Sequence, residues 1–484
     1  METVIDEIDI KNKCQIFTPE TIVKKMLDCA QYNNGLLGKK VLENSCGDGQ
    51  ILTKIVVAYI ESARKDCLSD SKIIKGLEDD IVAFDIDEKQ IEKCKSNLSE
   101  LALSYGLKNI KWNIICEDYL KANISQKFDF IIGNPPYIAY PDLKESIRTY
   151  VRDNYQTCKK GKFDYCYAFI EKSYYLLSDN GTMVYIIPSN VFKNVFASEL
   201  RSLIKNELEL IIDYPNEKVF QNVLVSPAII KISMGKTNTN LRYILSDNGV
   251  EQETTICKAD LGNKWTFGPK NIENGKRVGD FFRVSSSIAT LLNDVFLIGD
   301  CTFDNEFCYS DKAKLEKSIV KKAASPKNKK NQRNEYIIFP YYYDSNGIIR
   351  IYSEQQMKSQ FPLTMAYLNK HKNKLKKRKS DKNAAWYGYG RSQALQNSNQ
   401  EMILISSVIS ECTKAYLLSA DEIPYSGLYI IRTGNISLHR LLNRLNTSDF
   451  IKHIQNVGVC VNGKSRRITP DDIKSYIFEP DLEV

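Results

Sequence analysis

Short apolar runs alternate with longer amphipathic segments through the first half of this chain. Runs around residues 41–43, 81–86, 112–116 and 128–132 are rich in Val, Ile, Leu and Phe, and each is followed by polar or turn-forming residues. Strand-length apolar runs separated by segments with helical spacing are typical of parallel strands joined by helices. The pattern therefore predicts an open α/β sheet.

The segments between and after these runs extend the prediction. Helical spacing covers residues 51–63, begins again near Glu88 and returns at 165–177. Three further apolar runs predict the last strands of the sheet: 181–188, 210–214 and 226–232. After residue 240 the alternation fades, so we expect one domain over residues 1–240 and a second over residues 245–484.

The apolar run that begins at residue 128 has the most informative ending. A Gly is followed by Asn134, Pro135, Pro136 and Tyr137, and prolines cannot continue a central strand. A buried strand therefore stops abruptly and presents Asn134 and Tyr137 at its carboxyl edge. In open α/β sheets, ligands bind at that edge.

The chemistry of these residues suits methyl transfer to an exocyclic amine. The side-chain carbonyl of Asn134 and the main-chain carbonyl of Pro135 are two acceptors for the two hydrogens of an amino group. Together they would draw the nitrogen toward tetrahedral geometry and direct its lone pair at a methyl donor. Tyr137 offers a ring on which a flipped base can stack. The alternative is a plain Asn-Pro turn after a strand.

Residues 134–137, Asn-Pro-Pro-Tyr, resemble the catalytic motif of the N6-adenine DNA methyltransferases. The same tetrapeptide occurs in enzymes that methylate a glutamine side chain, so by itself it leaves the substrate open. The resemblance implies that Asn134, Pro135, Pro136 and Tyr137 are the catalytic residues. It also implies S-adenosylmethionine as cofactor, with Asn134 among its contacts, and a base that is flipped out of the duplex.

An upstream segment resembles the N-terminal motif of the gamma class of adenine methylases. Phe17, Thr18 and Pro19 would then cover the methionine end of S-adenosylmethionine. The residues alone indicate a helix start, with Thr18 as the cap and Pro19 in the first helical turn.

A glycine-containing loop follows the first predicted strand. The run 41–50, which includes Glu43, Ser45, Gly47 and Gly49, resembles motif I of Rossmann-like methyltransferases. Glycines let the backbone approach a ligand closely. No complete G-x-G-x-x-G is present, so a dinucleotide is not the expected ligand. The resemblance implies that Glu43 pairs with the ammonium group of the cofactor.

Acidic residues end the next two strands. A carboxylate in this place can accept both hydroxyls of a ribose, and the family pattern assigns that role to Asp85, with Ile86 against the cofactor's adenine. Asp87 is expected to cap the following helix. The same pattern implies that Asp118 accepts a hydrogen bond from the amine of the cofactor's adenine and that Tyr119 packs on that adenine ring.

A later aromatic residue completes the expected base site. In the gamma class, an aromatic ring in the segment between the last strands stacks on the flipped adenine opposite the catalytic tyrosine. That implies Phe220 in this chain. The alternative is a phenylalanine of the core, where most Phe residues lie.

The second half of the chain carries the positive charge. Residues 1–240 hold 31 Lys and Arg against 33 Asp and Glu, so the net charge of +8 arises from the remainder, which carries +10. This favours a nucleic-acid surface there, with solvated lysines as the alternative. Several segments of this half resemble the target-recognition domain of TaqI-type enzymes: 278–296, 335–341, 361–368 and 386–393. The DNA contacts expected in this half are Lys376, Lys377, Arg378, Arg391 and Gln393.

The remaining composition excludes other classes of protein. No apolar run is long enough to cross a bilayer and the N-terminus lacks a signal pattern, so we expect a cytoplasmic protein without membrane association. The 13 Cys are irregularly spaced without a CxxC pair, which indicates reduced thiols. With only 3 His, we expect no metal site.

These observations predict a Rossmann-like methyltransferase sheet with helices on both faces, followed by a mixed α+β DNA-recognition domain. The expected function is site-specific methylation of adenine N6 in double-stranded DNA by a stand-alone monomer without a nuclease domain. A cognate restriction endonuclease, encoded separately, is the expected counterpart. Two other interpretations stay open, a modification subunit that needs a separate specificity subunit and a protein glutamine methyltransferase.

Overall fold

The computed structural model describes residues 18–215, 219–220, 226–236, 238–247, 249–267, 275–391, 394–397, 399–462 and 465–478. The chain divides into two compact units. The first comprises Met1–Phe267 with Val459–Gly463, and the second comprises Gly268–Gly458 with Lys464–Val484. The assignment of catalysis to residues 1–240 and of DNA recognition to residues 245–484 stays a prediction.

The first unit combines helices with one large sheet. Its described helices are α1 Glu20–Ala30, α2 Gln50–Lys65, α3 Asp70–Asp80, α4 Glu88–Ser104, α5 Glu145–Asn154, α6 Cys166–Leu176 and α7 Ser198–Ile204. The strands of its sheet are β1 Val41–Glu43, β2 Ile81–Asp85, β3 Asn113–Cys116, β4 Phe128–Gly133, β5 Leu177–Pro188, β6 Leu208–Asp213, β7 Pro227–Ser233, β8 Asn240–Asp247 and β9 Val250–Cys257. The helices predicted over 51–63, from Glu88 and over 165–177 are confirmed as α2, α4 and α6.

Among the described residues, nine strands form the sheet in the order β3-β2-β1-β4-β5-β7-β6-β8-β9. Strands β1 to β5 are parallel, whereas β7 runs antiparallel to both β5 and β6. The chain moves outward from β1 to β3 and then crosses back to β4. Such a reversal of strand order opens a crevice at the carboxyl ends of the two central strands. Here the crevice lies between β1 and β4.

Helices cover both faces of the sheet. Val41 and Ile132 belong to the core that contains the apolar residues of α1 to α4. Their neighbours Leu42 and Ile131 belong to the core that contains those of α6 and α7. Successive residues of a strand point to opposite faces, so each apolar run supplies both cores. The predicted sheet with helices on both faces is confirmed.

The last two strands extend the sheet beyond the predicted set. β8 runs parallel to β6, and β9 pairs antiparallel with β8. Asn240 therefore begins another strand of the same sheet.

The second unit contains short helices and small sheets, as expected of a mixed α+β domain. Its described helices are α8 Val278–Phe281, α9 Asn293–Phe296, α10 Pro326–Lys330, α11 Glu354–Gln360, α12 Pro362–Lys370, α13 Lys372–Lys376, α14 Leu438–Leu445, α15 Ser448–Val457 and α16 Pro470–Lys474. Its strands are β10 Phe282–Ser286, β11 Leu297–Gly299, β12 Thr302–Phe303, β13 Phe307–Tyr309, β14 Lys314–Glu316, β15 Val320–Ala324, β16 Tyr336–Ile338, β17 Tyr341–Tyr343, β18 Ile349–Ile351, β19 Met402–Ile405, β20 Val408–Ile409, β21 Tyr416–Leu418, β22 Glu422–Pro424, β23 Leu428–Arg432 and β25 Ser465–Arg467. Strand β24, Val459–Asn462, belongs to the first unit.

Two sheets organise the second unit, β10-β23-β19-β21 and β11-β16-β15-β22. Separate apolar clusters lie around them, one containing Phe296, Ile337 and Tyr389 and another containing Phe282 and Ile430. Among the described helices of the chain, none combines the length and the apolarity that a bilayer crossing needs.

Candidate active site

The carboxyl ends of β1 and β4 bring two loops together. The strands are parallel neighbours, with Val41 opposite Phe130. The glycine loop, residues 44–49, follows β1, and the NPPY loop, residues 134–137, follows β4. The Ser45 hydroxyl donates a hydrogen bond to the main-chain oxygen of Asn134 at 2.9 Å. The two loops therefore meet in the crevice that the fold creates.

The glycine loop depends on its glycines. Gly47 and Gly49 have φ angles of +52° and +91°, in the left-handed region that favours glycine. A Cβ on Gly49 would lie 2.6 Å from Sγ of Cys94, so a side chain has no room there. The loop passes tightly over α4 and leads into α2.

Glu43 is a buried carboxylate at the start of this loop. Its exposed fraction is 1%, and its Oε2 has no hydrogen-bond partner among the described residues. Burial raises the pKa of Glu43 well above its ordinary value, and the nearby Cys94 and Asp85 raise it further. A buried acceptor of this kind fits a cationic donor from a ligand.

Asp85 supports the glycine loop from the end of β2. Its Oδ2 accepts the amide of Gly47 at 2.8 Å, and its Oδ1 accepts the amide of Asp87 at 2.9 Å. Burial raises the pKa of Asp85, while these amides oppose the shift. The expected cap is confirmed, because Asp87 accepts the amide of Lys89 at the start of α4. Contact of Asp85 with a ribose stays a prediction, as does the role of the half-buried Ile86.

The residues after β3 differ in exposure. Asp118 is half-buried, accepts the amide of Leu120 at 3.0 Å and forms an ion pair with Lys121 at 3.5 Å. Tyr119 is buried, and its hydroxyl lies 2.7 Å from Oγ of Ser173. Contact of either residue with a cofactor adenine stays a prediction.

Asn134 is held from two directions. Its main-chain oxygen accepts from Ser45, and its Nδ2 donates to Oγ1 of Thr18 at 3.1 Å. The predicted helix cap at Thr18 is wrong. Helix α1 begins at Glu20 after Pro19, and no side chain caps it. The buried hydroxyl of Thr18 serves instead as the acceptor for Asn134, and Phe17 lies outside the described residues.

The aromatic residues Tyr137 and Phe220 lie side by side. Their ring centroids are 6.4 Å apart and their planes meet at 62°. The Tyr137 hydroxyl donates to the main-chain oxygen of Ile186 at 2.7 Å, and burial raises its pKa well above the ordinary value. Phe220 is buried, Pro135 is buried and Pro136 is partly exposed. The structure thus brings the two predicted stacking rings together.

Comparison with known proteins identifies the segment that carries these loops. Residues 37–220 match the Eco57I restriction-modification methylase family. This methylase segment contains the glycine loop, the acidic ends of β2 and β3, the NPPY loop and Phe220.

Curated relatives of this chain include type II enzymes. The chain is 24% identical over 332 residues to the type II restriction enzyme and methyltransferase RM.Eco57I of Escherichia coli, covering 59% of this chain and 33% of that protein. It is 28% identical over 243 residues to the type II methyltransferase M.PaeR7I of Pseudomonas aeruginosa, covering 48% of this chain and 42% of that protein. It is 25% identical over 383 residues to the type II methyltransferase M.HincII of Haemophilus influenzae, covering 76% of this chain and 67% of that protein. The matches thus span a third to two thirds of the length of these relatives.

Solved structures share the fold over most of the chain. The type IIL restriction-modification enzyme MmeI in complex with DNA superposes with a TM-score of 0.57 at 14% identity, over 94% of this chain and 63% of that chain. The DrdV–DNA complex superposes with a TM-score of 0.52 at 13% identity, over 92% of this chain and 52% of that chain. At these identities, the likeness concerns the fold alone.

A buried polar network inside the methylase segment escaped the sequence analysis. Nδ2 of Asn44 donates to Oγ of Ser173 at 3.1 Å and to the hydroxyl of Tyr185. Ser173 also lies within hydrogen-bond distance of the hydroxyls of Tyr119 and Tyr185, 2.7 Å in each case. The sequence analysis singled out Tyr119 and the loop that contains Asn44, whereas Ser173 and Tyr185 gave no signal because they lie in an apolar helix and an apolar strand.

The predicted DNA contacts of the second unit are placed in different ways. Lys376 and Lys377 are exposed at the end of α13. Arg378 instead donates four hydrogen bonds to main-chain oxygens at 2.5–2.9 Å, those of Thr290, Leu375, Trp386 and Gly388. Its guanidinium therefore holds this unit together, and we restrict the proposed phosphate contacts of this run to the two lysines.

The remaining two predicted contacts lie further along the chain. Arg391 is exposed and forms an ion pair with Asp381 at 2.8 Å. Gln393 lies outside the described residues. Base contact by either residue stays a prediction.

Proposed function

We propose that this chain is an adenine-specific DNA methyltransferase, which transfers a methyl group from S-adenosylmethionine to N6 of adenine in duplex DNA. The observation that carries the proposal is the meeting of the glycine loop and the NPPY loop. The glycine loop would hold a cation beside the buried Glu43. The NPPY loop contains acceptors for an amine at Asn134 and Pro135. Ser45 joins the two, so donor and target would be held side by side.

The residues around Glu43 fit S-adenosylmethionine. A buried carboxylate oxygen without a protein donor suits the ammonium group of that cofactor. The left-handed glycines keep side chains out of the loop that would face it. The other proposed contacts are Phe17, Thr18, Pro19, Ser45, Asp85, Ile86, Asp118, Tyr119 and Asn134. When bound, the cofactor supplies the electrophilic methyl group.

The NPPY loop would orient the target amine. The hydrogen bond from Asn134 Nδ2 to Thr18 fixes the plane of the amide and hence the direction of its carbonyl. Pro135, which has no N–H, supplies a second acceptor with a fixed direction. The gain in rate would come from positioning, without a covalent intermediate on the protein.

Tyr137 and Phe220 would hold the flipped base. Two parallel rings must stand about 7 Å apart to sandwich a base, since carbon atoms in contact are about 3.5–4 Å apart. The rings now touch edge to face. The hydrogen bond to Ile186 anchors Tyr137, so we expect Phe220 to be the ring that moves.

The second unit would recognise the DNA sequence. The exposed Lys376 and Lys377 and the net charge of this half support the proposal. The fold neighbours MmeI and DrdV were both solved with DNA, which is consistent with it. We also propose that the chain methylates DNA without a specificity subunit and without cleaving it.

The test is methyl transfer from tritiated S-adenosylmethionine to unmethylated plasmid DNA, followed by mass spectrometry of the nucleosides. We expect N6-methyladenine. Label in N4-methylcytosine, or only in glutamine of an added protein, would contradict the proposal. Dependence on another protein would favour a modification subunit, and cleavage of the plasmid with Mg²⁺ would contradict the proposal that the chain acts only as a methylase.

A further inference from the structure

The segment that follows the NPPY loop is basic, although residues 1–240 as a whole are not. Residues 138–162 hold six Lys or Arg and three Asp or Glu. The lysine loop, residues 159–162, contributes Lys159, Lys160 and Lys162, which are all exposed. Within the part of the chain that the structure describes, no ion pair reaches any of the three.

Main-chain and ring contacts connect this segment to the NPPY loop. Ala139, two residues beyond that loop, forms an antiparallel bridge with Asp164, two residues beyond the lysine loop. Tyr140 packs against Phe163, with ring centroids 5.2 Å apart. The lysine loop is therefore attached to the chain that leaves the proposed base site.

Arg152 holds the lysine loop, and Arg148 packs on the same Tyr140 ring as Arg152. The Arg152 guanidinium donates to the main-chain oxygen of Gly161 at 3.1 Å and to the hydroxyl of Tyr140 at 3.2 Å. Arg148 lies over the Tyr140 ring at 4.7 Å and donates to the main-chain oxygen of Pro141 at 2.8 Å. These guanidinium groups are committed to the protein, so the three lysines are the charges offered to a partner.

An exposed apolar pair borders the lysine loop. Gly161 has a φ of +72°, and a Cβ there would lie 2.1 Å from Cδ1 of Phe196, so the Phe196 ring lies against the glycine. Phe196 is 41% exposed and Val195 is 57% exposed. Lysines beside exposed apolar side chains suit a nucleic acid, because cations contact its phosphates and apolar groups contact its sugars and bases.

We propose that the lysine loop, with Val195 and Phe196, is a second DNA contact inside the catalytic unit and grips the backbone beside the target adenine. The proposal rests on the proposed function. Moving a base out of the duplex costs a few kcal/mol. Phosphate contacts next to the emerging base would offset part of that cost. DNA binding would then be shared with the second unit rather than confined to it.

The first test measures the salt dependence of DNA binding. The triple variant Lys159→Gln, Lys160→Gln and Lys162→Gln is compared with a control triple, Lys72→Gln, Lys95→Gln and Lys108→Gln. The control removes the same charge from exposed lysines on α3, on α4 and before β3. Anisotropy of a labelled 30-base-pair duplex is measured across a salt series. The slope of interest is that of the logarithm of the binding constant against the logarithm of salt concentration. The lysine-loop variant should make it less steep by about 2 to 3, given about 0.9 per phosphate contact, and the control should keep the parent slope.

The second test measures methyl transfer to plasmid DNA. The lysine-loop variant should raise KM for DNA tenfold or more with a smaller change in kcat, because phosphate contacts mainly supply uniform binding. Val195→Ser with Phe196→Ser should raise KM several-fold and keep the salt slope, because no charge is removed. A parent that does not methylate adenine would overturn the proposed function itself. A methylating parent whose lysine-loop variant matches the control triple in both slope and KM would overturn only this inference.

Discussion

At the scale of single residues, the proposed role of Asn134 would separate the chemistry from the binding of the cofactor. We predict that Asn134→Ala abolishes methyl transfer and changes the affinity for S-adenosylmethionine only a few-fold, because in the proposed site its side chain would mainly bind the target amine. A methylation assay beside isothermal titration with the cofactor checks this. Near-normal turnover in the variant would contradict the assigned role.

Glu43 should show the opposite behaviour. Glu43→Gln keeps the shape of the side chain but removes a charged acceptor, a loss of roughly 1.5–3 kcal/mol or about 10- to 150-fold in cofactor affinity. Glu117→Gln is the matched control, since Glu117 is an exposed acid just after β3 at the same edge of the sheet. Equal dissociation constants for the two variants would exclude Glu43 from the cofactor site.

At the scale of elements, Asp164 joins the chain beyond the NPPY loop to α6. Its carboxylate accepts the amide of Cys166 at 3.1 Å and also that of Ile138. Burial raises the pKa of Asp164 to about 6 from 3.8. A folded pKa above the unfolded one means that ionising Asp164 costs stability as pH rises from about 4 to about 6.

The variant Asp164→Asn cannot ionise and should escape this loss. We predict that the unfolding free energy of the variant minus that of the parent increases from pH 4 to pH 6 and is constant above about pH 7. Urea denaturation at a series of pH values measures it. A difference that is independent of pH would show that Asp164 has an ordinary pKa.

The elements also show what the sequence was able to predict. The apolar runs located the central strands because those strands are buried on both faces, as in β5 and β7. Strand β9 was missed because most of its residues are exposed, so Glu251, Gln252 and Glu253 give no apolar signal at the edge of the sheet. The cap at Thr18 was mispredicted because its partner, Asn134, is 116 residues away.

At the scale of the whole molecule, the positive charge of the second half can be counted from the sequence, but the sequence does not show which of its basic side chains are free to bind DNA. Arg378 belongs to a basic run, yet one of its acceptors is the main-chain oxygen of Thr290, 88 residues away. Charge along a sequence does not reveal such a partner. Lys376 and Lys377 are exposed, as a DNA contact requires. Substituting these lysines therefore tests DNA binding, whereas substituting the neighbouring Arg378 tests stability.

We predict that Lys376→Gln with Lys377→Gln weakens binding to all duplexes alike and flattens the salt slope by about 2, given about 0.9 per phosphate. Arg378→Gln should instead lower the melting temperature, because it leaves several carbonyls without their donor. Anisotropy on two unrelated duplexes and thermal denaturation measure the two effects. Unchanged binding in the double variant would identify the lysines as a solvated surface.

In the proposed cofactor site, the buried state of Glu43 would link cofactor binding to the release of a proton. Burial raises the pKa of Glu43 in the free protein, whereas a bound ammonium group would lower it, so at a pH between these two pKa values binding would release a proton to the buffer. Over the pH range below the raised pKa, affinity should rise with pH by up to about tenfold per unit. The calorimetric enthalpy of binding should differ between Tris and phosphate at one pH, because the buffers take up the proton with different heats. Glu43→Gln should abolish that difference.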